Sequence, residues 1–491
     1  MALGLEFPDG ELTDALTLGI PTDRGVRAWL RAPGRDAVEV TVTAGGEQCS
    51  VVAHPDPEHD WIATIDLDVA DLAVAGRRPA EAFEVEALGK RRGAHFAPSA
   101  EQPTAFSFAF GSCHQPFEPN PDKQLRKHDG ARIYAPALQL LRREEARFLL
   151  LVGDQVYSDG VEGQSVRTWA RSHAPEDRPG FAQLVDAYRH LYRGYFNERG
   201  LRALLDAFPV RMTWDDHDIA DSWGSRFIET DEERLMFRAA AHTYREYQRA
   251  LEPGRGFTGE PPFHGGFRYG DVAFWSLDLR GIRSWDNGTV LGPRQLEDTR
   301  AFLDECARDG TRTVFITSSI PLIHFSPAAV GILQWVPGGK GSDVRDRWDA
   351  APFLAERDAF IDLIGRWQRG HPLRQVIVLS GDVHAGAAFR VRDRATGGRF
   401  HQWTSSSLSA PGGIAHNIAN RLGSRFAQLG ERRCEVERIG LDPRNNVATV
   451  HVRPLTGGGH RVTFDLHAHD ARGGLLPGIS ASAAPDISRN A

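Results

Sequence analysis

Cysteine is scarce in this chain, and the few cysteines lie far apart. The 491 residues include four, Cys49, Cys113, Cys306 and Cys434, and no two of them form a CxxC pair. This distribution excludes a disulfide framework and a zinc-ribbon pattern. Cys113 is the exception among the four, because it follows an apolar run at a position where it could bind a metal.

Long hydrophobic runs and a strong charge imbalance are also missing. No apolar run approaches the roughly 18 residues that a membrane span requires. Residues 1–10 contain no basic residue and no apolar h-region, so the expectation is a cytoplasmic protein without a secretory signal. The formal net charge of −7 gives no basic surface for nucleic acid. An anionic substrate would therefore need local positive charge, which bound metal cations can supply.

The sequence divides into regions of different pattern. Residues 1–100 hold short segments of alternating apolar and polar residues between Gly and Pro turns, which predicts a small β-sandwich domain. In residues 105–470, apolar runs alternate with amphipathic stretches, which predicts an α/β domain. Residues 471–491 are rich in Gly, Ala, Ser and Pro and are predicted to be a disordered tail.

The predicted elements follow from these patterns. Strands are predicted at 26–30, 38–42, 61–67, 83–88, 106–110, 148–152, 210–214, 272–277, 313–317, 376–379, 434–439, 448–453 and 461–466. Helices are predicted near 131–146, 181–207, 231–251, 293–308 and 353–369.

Side chains that can bind metals follow four of the predicted buried strands. They are Cys113 after 106–110, Asp154 and Tyr157 after 148–152, the run Asp215-Asp216-His217-Asp218 after 210–214, and Asp382 and His384 after 376–379. In open α/β sheets, ligands bind just beyond the carboxyl ends of the strands. The four clusters are therefore expected to converge in one crevice.

This set of side chains suits metal-assisted hydrolysis of a phosphate ester. Carboxylate, imidazole, phenolate and thiolate groups bind hard or borderline cations. A pair of cations lowers the pKa of a bound water and clamps the attacking and leaving oxygens, so a metal-bound hydroxide would attack phosphorus directly. His217 would protonate the leaving alkoxide, with Asp218 or Asp215 orienting its ring. The candidate metal ligands are Cys113, Asp154, Tyr157, Asp215, Asp216, Asp382 and His384.

Each cluster taken alone has a simpler explanation. Asp154 could cap a helix, Cys113 could be a small buried hydrophobic residue, Tyr157 could be a surface or core tyrosine, and residues 382–384 could form a turn. The run 215–218 is harder to explain in this way, because three acids around one histidine repel each other unless a cation neutralises them. Together the four clusters favour metal binding over a purely structural role.

The motifs occur in the order found in a known family. They are Gly-Ser-Cys at 111–113, Gly-Asp-Gln-Val-Tyr at 153–157, Thr-Trp-Asp-Asp-His-Asp at 213–218 and Leu-Ser-Gly-Asp-Val-His at 379–384, with secondary motifs at 275–280, 291–296, 346–349 and 403–407. From about residue 105 to 410 the chain thus resembles the alkaline phosphatase D (PhoD-like) family of metallophosphatases. The resemblance implies a four-layer α/β/β/α core similar to calcineurin-like and purple acid phosphatases. An N-terminal β-sandwich of the immunoglobulin or fibronectin type commonly precedes that core, which residues 1–100 fit.

The resemblance also implies cofactors and residue roles. It implies an Fe3+ ion with thiolate and phenolate ligands, accompanied by Ca2+, whereas the ligand types alone would also admit Zn2+ or Mn2+. Carried over by motif, Cys113 and Tyr157 would bind iron, Asp154 would bridge, Asp216 would stand in place of a metal-binding Asn, His217 would be the catalytic histidine, and Asp382 and His384 would complete the site.

The chain departs from the family pattern at several positions. Asp218 stands where the family has Glu, and Asp221 lies in a stretch where the family has Asn residues, which makes it a further candidate calcium ligand. Many relatives are exported, whereas no export signal is visible here. Arg280 and Arg283 follow a buried strand and are candidate substrate contacts, although each could instead form ion pairs with nearby acids.

The sequence therefore predicts a metal-dependent phosphoesterase whose substrates are phosphomonoesters or phosphodiesters. A phospholipase-D-like phosphodiesterase is the nearest rival among enzymes. Two non-catalytic hypotheses stay open beside it. In the first, the chain is a binding protein that kept the scaffold without the chemistry, and in the second, the metal site only joins strands together.

Overall fold

The structure is a computed structural model, and it describes residues 3–68, 82–101, 103–160, 165–225, 230–324, 330, 345–411, 431–470 and 472–485. Strands dominate the first part of the chain, and strands alternate with helices from residue 106 onward. This division follows the change of sequence pattern near residue 100.

Seven strands lie in the described residues of the first part. They are β1 Ala15–Leu18, β2 Gly25–Arg31, β3 Val38–Ala44, β4 Glu47–Ala53, β5 Ile62–Asp68, β6 Ala82–Ala87 and β7 Lys90–His95. They form two antiparallel sheets with the orders β1-β2-β5 and β4-β3-β6-β7. One hydrophobic cluster takes side chains from both sheets, including Leu30 of β2 and Val40 of β3. The period-two alternation seen in the sequence buries these side chains between the sheets.

The second part contains fifteen strands among the described residues. They are β8 Phe106–Gly111, β9 Phe117–Pro119, β10 Leu125–Lys127, β11 Ala146–Val152, β12 Val210–Thr213, β13 Gly265–Tyr269, β14 Val272–Ser276, β15 Thr313–Ser318, β16 Gln375–Ser380, β17 Gly386–Asp393, β18 Arg399–Thr404, β19 Cys434–Asp442, β20 Asn446–Pro454, β21 His460–His469 and β22 Leu475–Ala483. Two large mixed sheets result, with the orders β12-β11-β8-β20-β21-β22 and β13-β14-β15-β16-β18-β17-β19. Strands β8, β11 and β12 are parallel neighbours in the first sheet, and β14, β15, β16 and β18 are parallel neighbours in the second.

Seven α-helices pack against these sheets in the described residues. They are α1 Tyr134–Arg143, α2 Val166–Arg171, α3 Phe181–Phe196, α4 Arg199–Ala207, α5 Asp231–Tyr247, α6 Gly292–Arg308 and α7 Leu354–Arg369. Local signals fix several helix starts: the Thr230 side chain accepts from the backbone N–H of Glu233 at the start of α5, and Pro293 lies in the first turn of α6. None of these helices is long and apolar enough to cross a membrane.

Three hydrophobic clusters bind the second part together. One lies between the two sheets and includes Phe108 of β8 and Phe315 of β15. A second joins the outer face of the six-stranded sheet to α1, α3, α4 and α5, and a third joins the outer face of the seven-stranded sheet to α6 and α7. The parallel strands are therefore buried on both faces, as their continuous apolar sequences predict.

Two predictions are corrected by the structure. The stretch 181–207 is two helices, since the chain turns at residues 197–198 and the Glu198 carboxylate caps α4 by accepting from the backbone N–H of Leu201 at 2.7 Å. Within the predicted disordered tail 471–491, β22 pairs with β21 at the edge of the six-stranded sheet. Of the nine residues of β22, only Ile479 and Ala483 are buried, so the composition of the segment did not indicate a strand. Residues 471 and 486–491 of the predicted tail lie outside the described residues.

Candidate metal centre

The four sequence clusters meet at the carboxyl ends of β8, β11, β12 and β16. Hydrogen bonds between the connecting loops hold them together: Cys113 N donates to Gly153 O at 3.1 Å, and Gly153 N donates to Thr213 O at 3.0 Å. Gly153 has a φ of 94°, and an added Cβ would lie 3.0 Å from the Cβ atoms of Asp215 and Ser319. Glycine is therefore required where these strand ends come closest.

Four of the candidate ligands have left-handed backbone conformations. Cys113 has φ 59°, Asp154 φ 58°, Asp382 φ 65° and His384 φ 48°. Such conformations cost of order 1–3 kcal/mol each for residues other than glycine, and they cluster at functional sites. These backbone conformations direct the four side chains, which follow strands of two different sheets, toward a common point.

One side of the centre is formed by a thiol and a phenol that contact the same carboxylate. Cys113 Sγ lies 3.3 Å from Asp154 Oδ2, and the Tyr157 hydroxyl lies 3.4 Å from that same oxygen and 3.4 Å from His384 Nε2. Burial, together with the charge of Asp154, raises the pKa of the Cys113 thiol and of the Tyr157 phenol well above their ordinary values. A cation placed here would reverse this effect, since it stabilises thiolate and phenolate.

A group of four carboxylates, three of them buried, forms the other side. Ligand oxygens of Asp154, Asp215, Asp216 and Asp382 all lie within 4.8 Å of one another. Burial and the charges of Asp216 and Asp215 raise the pKa of Asp154 well above its ordinary value, against the opposing charge of His217. Like charges this close require neutralisation.

The carboxylate oxygens also meet the requirement for a bound metal. Among the described residues, Asp154 Oδ1, Asp215 Oδ2 and Asp216 Oδ1 are buried without a hydrogen-bond partner, and Asp216 Oδ1 has only the Arg280 guanidinium 3.2 Å away. Buried polar atoms are normally satisfied, and buried carboxylates are paired or coordinate metals. The residues present therefore fit one or more cations, with carboxylate, thiolate, phenolate and imidazole donors available.

Arg280 and Arg283 lie behind this group and do not line the cavity in front of it. Arg280 is fully buried, pairs with Asp215, and donates to both carboxylate oxygens of Asp346 at 2.7 and 2.6 Å. Arg283 donates to Ser225 Oγ and to the backbone carbonyl of Asp346 at 2.7 Å. Both arginines therefore form ion pairs or hydrogen bonds with neighbouring residues, which is the alternative role that the sequence left open, and not the predicted contact with substrate.

His217 faces the cavity and is held by a residue that was not among the predicted site residues. Its Nδ1 lies 2.6 Å from Asp159 Oδ1, and its ring stacks on Tyr157 with the ring centroids 4.3 Å apart. Burial lowers the pKa of His217, but the carboxylates of Asp159 and Asp216 together raise it well above its ordinary value. The available signal for Asp159 was its position two residues after Tyr157, in the turn that follows β11.

Asp218 and Asp215, which were predicted to orient His217, have different partners. Asp218 Oδ2 accepts from the backbone N–H groups of Asp154 at 3.1 Å and Asp215 at 2.8 Å, and its Oδ1 accepts from Gln248 Nε2 at 2.8 Å. Asp218 therefore holds two strand-end loops together, and burial raises its pKa to about 7. Asp215 Oδ1 accepts from Arg280 and from Ser319 Oγ.

The centre opens into a cavity of 330 Å³. Its lining includes Gln115, Tyr157, Asp159, Gly160, Asp216, His217, Asp221, Ser222, Asp346, Arg347, Asp382 and His384. Asp221 lies on this lining but outside the carboxylate group, and its backbone N–H donates to Asp159. Asp382 pairs with Arg347, which places a guanidinium at the edge of the carboxylate group.

Comparison with known proteins agrees with this arrangement of motifs. The family model described as PhoD-like phosphatase matches residues 108–432, which is more than half of the chain. The chain belongs to the PhoD-like phosphatase family. Alkaline phosphatase D of Bacillus subtilis (strain 168) is 26% identical over 303 residues, which cover 60% of this chain and 48% of that protein. The chain thus spans about half the length of this curated relative.

Two solved structures share the fold of this PhoD-like chain. The structure of PhoD matches with a TM-score of 0.66 and 16% identity, covering 96% of this chain and 90% of that one. Purple acid phosphatase PPD1 from yellow lupin (Lupinus luteus) seeds matches with a TM-score of 0.56 and 11% identity, covering 98% of this chain and 76% of that one. At these identities the likeness establishes a metallophosphatase-like fold. Membership of this family implies bound metal ions, and the carboxylate group is a candidate site for them.

Proposed function

We propose that this PhoD-like protein is a metal-dependent phosphoesterase that hydrolyses phosphomonoesters, phosphodiesters or both. The observation that carries the proposal is the carboxylate group, in which three buried oxygens have no hydrogen bond, next to a thiol and a phenol that share Asp154 Oδ2. Buried carboxylates are normally paired or coordinate metals, and the chain belongs to a family of phosphatases.

The proposal includes a finer architecture. The two large sheets with helices on their outer faces form the four-layer α/β/β/α core, and the two N-terminal sheets form a β-sandwich of the immunoglobulin or fibronectin type. The shared clusters of buried side chains support both parts of this interpretation.

Within this centre we assign the ligands from the family motifs. Cys113 and Tyr157 would hold an iron(III) ion, and Asp154, Asp216, Asp382 and His384 would complete the ligand set for it and for calcium as the second metal. Asp215, which already accepts from Arg280, has one oxygen left for a cation, and Asp221 is a peripheral ligand. When bound, the cations lower the pKa of a water molecule and neutralise charge on the phosphoryl oxygens.

His217 is assigned as the general acid. Its Nδ1 is engaged by Asp159, so its Nε2 is the nitrogen available for a leaving-group oxygen. The adjacent carboxylates favour the protonated ring, which is the form that a general acid needs. The imidazolium would give its proton to the departing alkoxide, and Asp159 would fix the orientation of the ring during that step.

A non-catalytic binding protein on the same scaffold is the second candidate. The arrangement of His217 counts against it, since a binding protein has no need of a histidine that is oriented by a carboxylate and exposed to the cavity. A phospholipase-D-like phosphodiesterase stays within the proposal, as an esterase with a narrower preference.

The test combines metal analysis with a paired variant. Wild-type protein and His217→Ala are analysed for bound metals and by visible spectroscopy, and both are assayed with nitrophenyl phosphate and bis-nitrophenyl phosphate, with and without added calcium. The expected result is iron with a charge-transfer band in both proteins, calcium-dependent turnover in the wild type, and kcat lower by about 10²- to 10⁴-fold in the variant. Full metal occupancy without hydrolysis of either ester would favour the binding protein. Equal turnover by both proteins would favour a metal that only joins the strands.

A further inference from the structure

We propose that Arg347 is a substrate-binding residue of this centre and that its guanidinium holds a non-bridging oxygen of the phosphoryl group. We further infer that it favours monoester dianions over diester monoanions. This inference rests on the proposed function and assigns to Arg347 the role that the sequence had suggested for Arg280 and Arg283.

The cavity is acidic. Its lining carries five carboxylates, those of Asp159, Asp216, Asp221, Asp346 and Asp382. Among the lining residues that the structure describes, Arg347 is the single arginine or lysine. A phosphate ester that enters this acidic space therefore has one permanent side-chain cation to approach, in addition to the metals that the centre would bind.

Buried contacts fix the chain segment on both sides of Arg347. Asp346 is held by both terminal nitrogens of Arg280, and its carbonyl accepts from Arg283. Asp349 pairs with Arg357, which is itself anchored to the Glu431 carboxylate at 3.0 Å. A guanidinium presented from a segment fixed in this way is preorganised, so little conformational entropy is lost when an anion binds.

The guanidinium of Arg347 has the geometry to bind a phosphate anion. Its five N–H donors form a planar fork that matches a phosphate oxygen pair, so the pairing with Asp382 is compatible with a simultaneous contact to an anion. Arg347 and Asp382 lie next to each other at the cavity wall, with the Arg347 side chain 9% exposed. A phosphoryl group that contacts a cation on Asp382 would thus be within reach of the guanidinium.

The preference between esters follows from Coulomb's law. The attraction between a fixed charge and an anion scales with the charge of the anion. A monoester dianion carries about twice the charge of a diester monoanion on its non-bridging oxygens. Loss of the guanidinium should therefore weaken the monoester reaction more than the diester reaction.

The test compares wild type with Arg347→Gln, Arg347→Lys and a control, Arg294→Gln, whose side chain is 75% exposed on α6. The measurements are kcat and KM for nitrophenyl phosphate and bis-nitrophenyl phosphate, the calorimetric affinity for inorganic phosphate, and the bound metal per chain. For Arg347→Gln we expect kcat/KM for the monoester to fall about 10- to 100-fold, the range for losing a hydrogen bond to a charged group. The diester value should fall several-fold less, phosphate affinity should fall, Arg347→Lys should be intermediate, and metal content should not change.

Several results would overturn the inference. Equal losses on both esters, unchanged phosphate affinity, or reduced metal content in Arg347→Gln would show that Arg347 only supports Asp382. If the wild type hydrolyses neither ester, the proposed function fails while the phosphate titration still decides the inference. In that case, tight phosphate binding that Arg347→Gln abolishes supports the anion site, and equal affinity in the two proteins rejects it.

Discussion

At the scale of single residues, the pair of His217 and Asp159 is the feature that most directly determines the proposed chemistry. The 2.6 Å contact between His217 Nδ1 and Asp159 Oδ1 fixes both the tautomer and the orientation of the ring. Asp159 Oδ2 in turn accepts from the backbone N–H of Asp221, which fixes the carboxylate itself. A substitution that removes only the charge of Asp159 therefore isolates its contribution.

We predict that Asp159→Asn lowers kcat for nitrophenyl phosphate by about 10²-fold, within the range that general acid–base catalysis provides. The amide keeps the size of the side chain but no longer stabilises the imidazolium. Steady-state kinetics are the measurement, with Asp129→Asn, whose side chain is 88% exposed, as the matched control. A fall in KM or metal content without a change in kcat would contradict the orienting role.

The residues of the centre differ in how far the sequence could predict them. Cys113, Asp154, Asp216 and Asp382 each come shortly after a buried strand, and the convergence of parallel strand ends places them together. Asp159 was missed because it lies in a turn, and the apolar pattern that predicts strands does not predict the path of the chain through a turn. The sequence could not distinguish a buried arginine that holds carboxylates from one that faces the cavity.

At the scale of elements, the aromatic layer between the two sheets holds the strand ends in place. Phe108 of β8 stacks on Phe148 of β11 with ring centroids 5.1 Å apart, and its edge-to-face contacts with Phe274 and Phe315 of the other sheet have centroid distances of 5.4 and 5.2 Å. Phe108 is completely buried. Since Cys113 follows β8 and Asp154 follows β11, this layer sets the distance between ligands from different strands.

We predict that Phe108→Ala lowers the free energy of unfolding by about 3–5 kcal/mol, the usual cost of truncating a buried aromatic. Urea unfolding measures this change, and Val52→Ala, at a side chain that is 57% exposed, serves as the control. A loss below about 1 kcal/mol would mean that the inter-sheet layer can collapse onto the space left by the ring.

Elements with a continuous apolar run were predictable, whereas those defined by their partners were not. The apolar runs at β8, β11, β15 and β16 form strands that are buried on both faces of their sheets, so the sequence pattern and the fold agree. Strand β22 buries only two side chains, Ile479 and Ala483, and is defined by its pairing with β21. The break between α3 and α4 depends on the capping contact of Glu198, which periodicity alone does not show.

At the scale of the whole molecule, a buried ionic network joins the N-terminal part to the helices of the second part. Glu246 of α5 is fully buried, and it is contacted by Arg189 of α3 at 2.5 and 2.9 Å and by His59 and His242 at 2.9 Å each. His59 belongs to the first 100 residues, so the network crosses between the two parts. Trp29 adds a hydrogen bond of 2.8 Å from its indole N–H to the Glu246 carbonyl.

The pH dependence of this network has a definite sign. Burial raises the pKa of Glu246, but the hydrogen bonds from Arg189, His242 and His59 lower it by a larger amount. The pKa of Glu246 therefore lies well below its ordinary value of 4.5. A carboxyl whose pKa is depressed in the folded state stabilises the protein fully above its unfolded-state pKa. That contribution is lost as the pH falls from about 4.5 toward the folded-state pKa.

We therefore predict that Glu246→Gln lowers the free energy of unfolding by about 3–5 kcal/mol at pH 5.5, because it leaves the Arg189 guanidinium, whose side chain is only 12% exposed, without its carboxylate. The difference from wild type should shrink between pH 5.5 and 3.5, because the wild type loses the contribution of the ionised Glu246 over this range. Urea unfolding at the two pH values measures it, with Glu297→Gln, whose side chain is 67% exposed, as the control. A difference that stays constant across this range would mean that the stability of the joined parts does not depend on the ionised form of Glu246. The two parts would then be held together by packing, such as that of Trp29 on the helices, and not by the network.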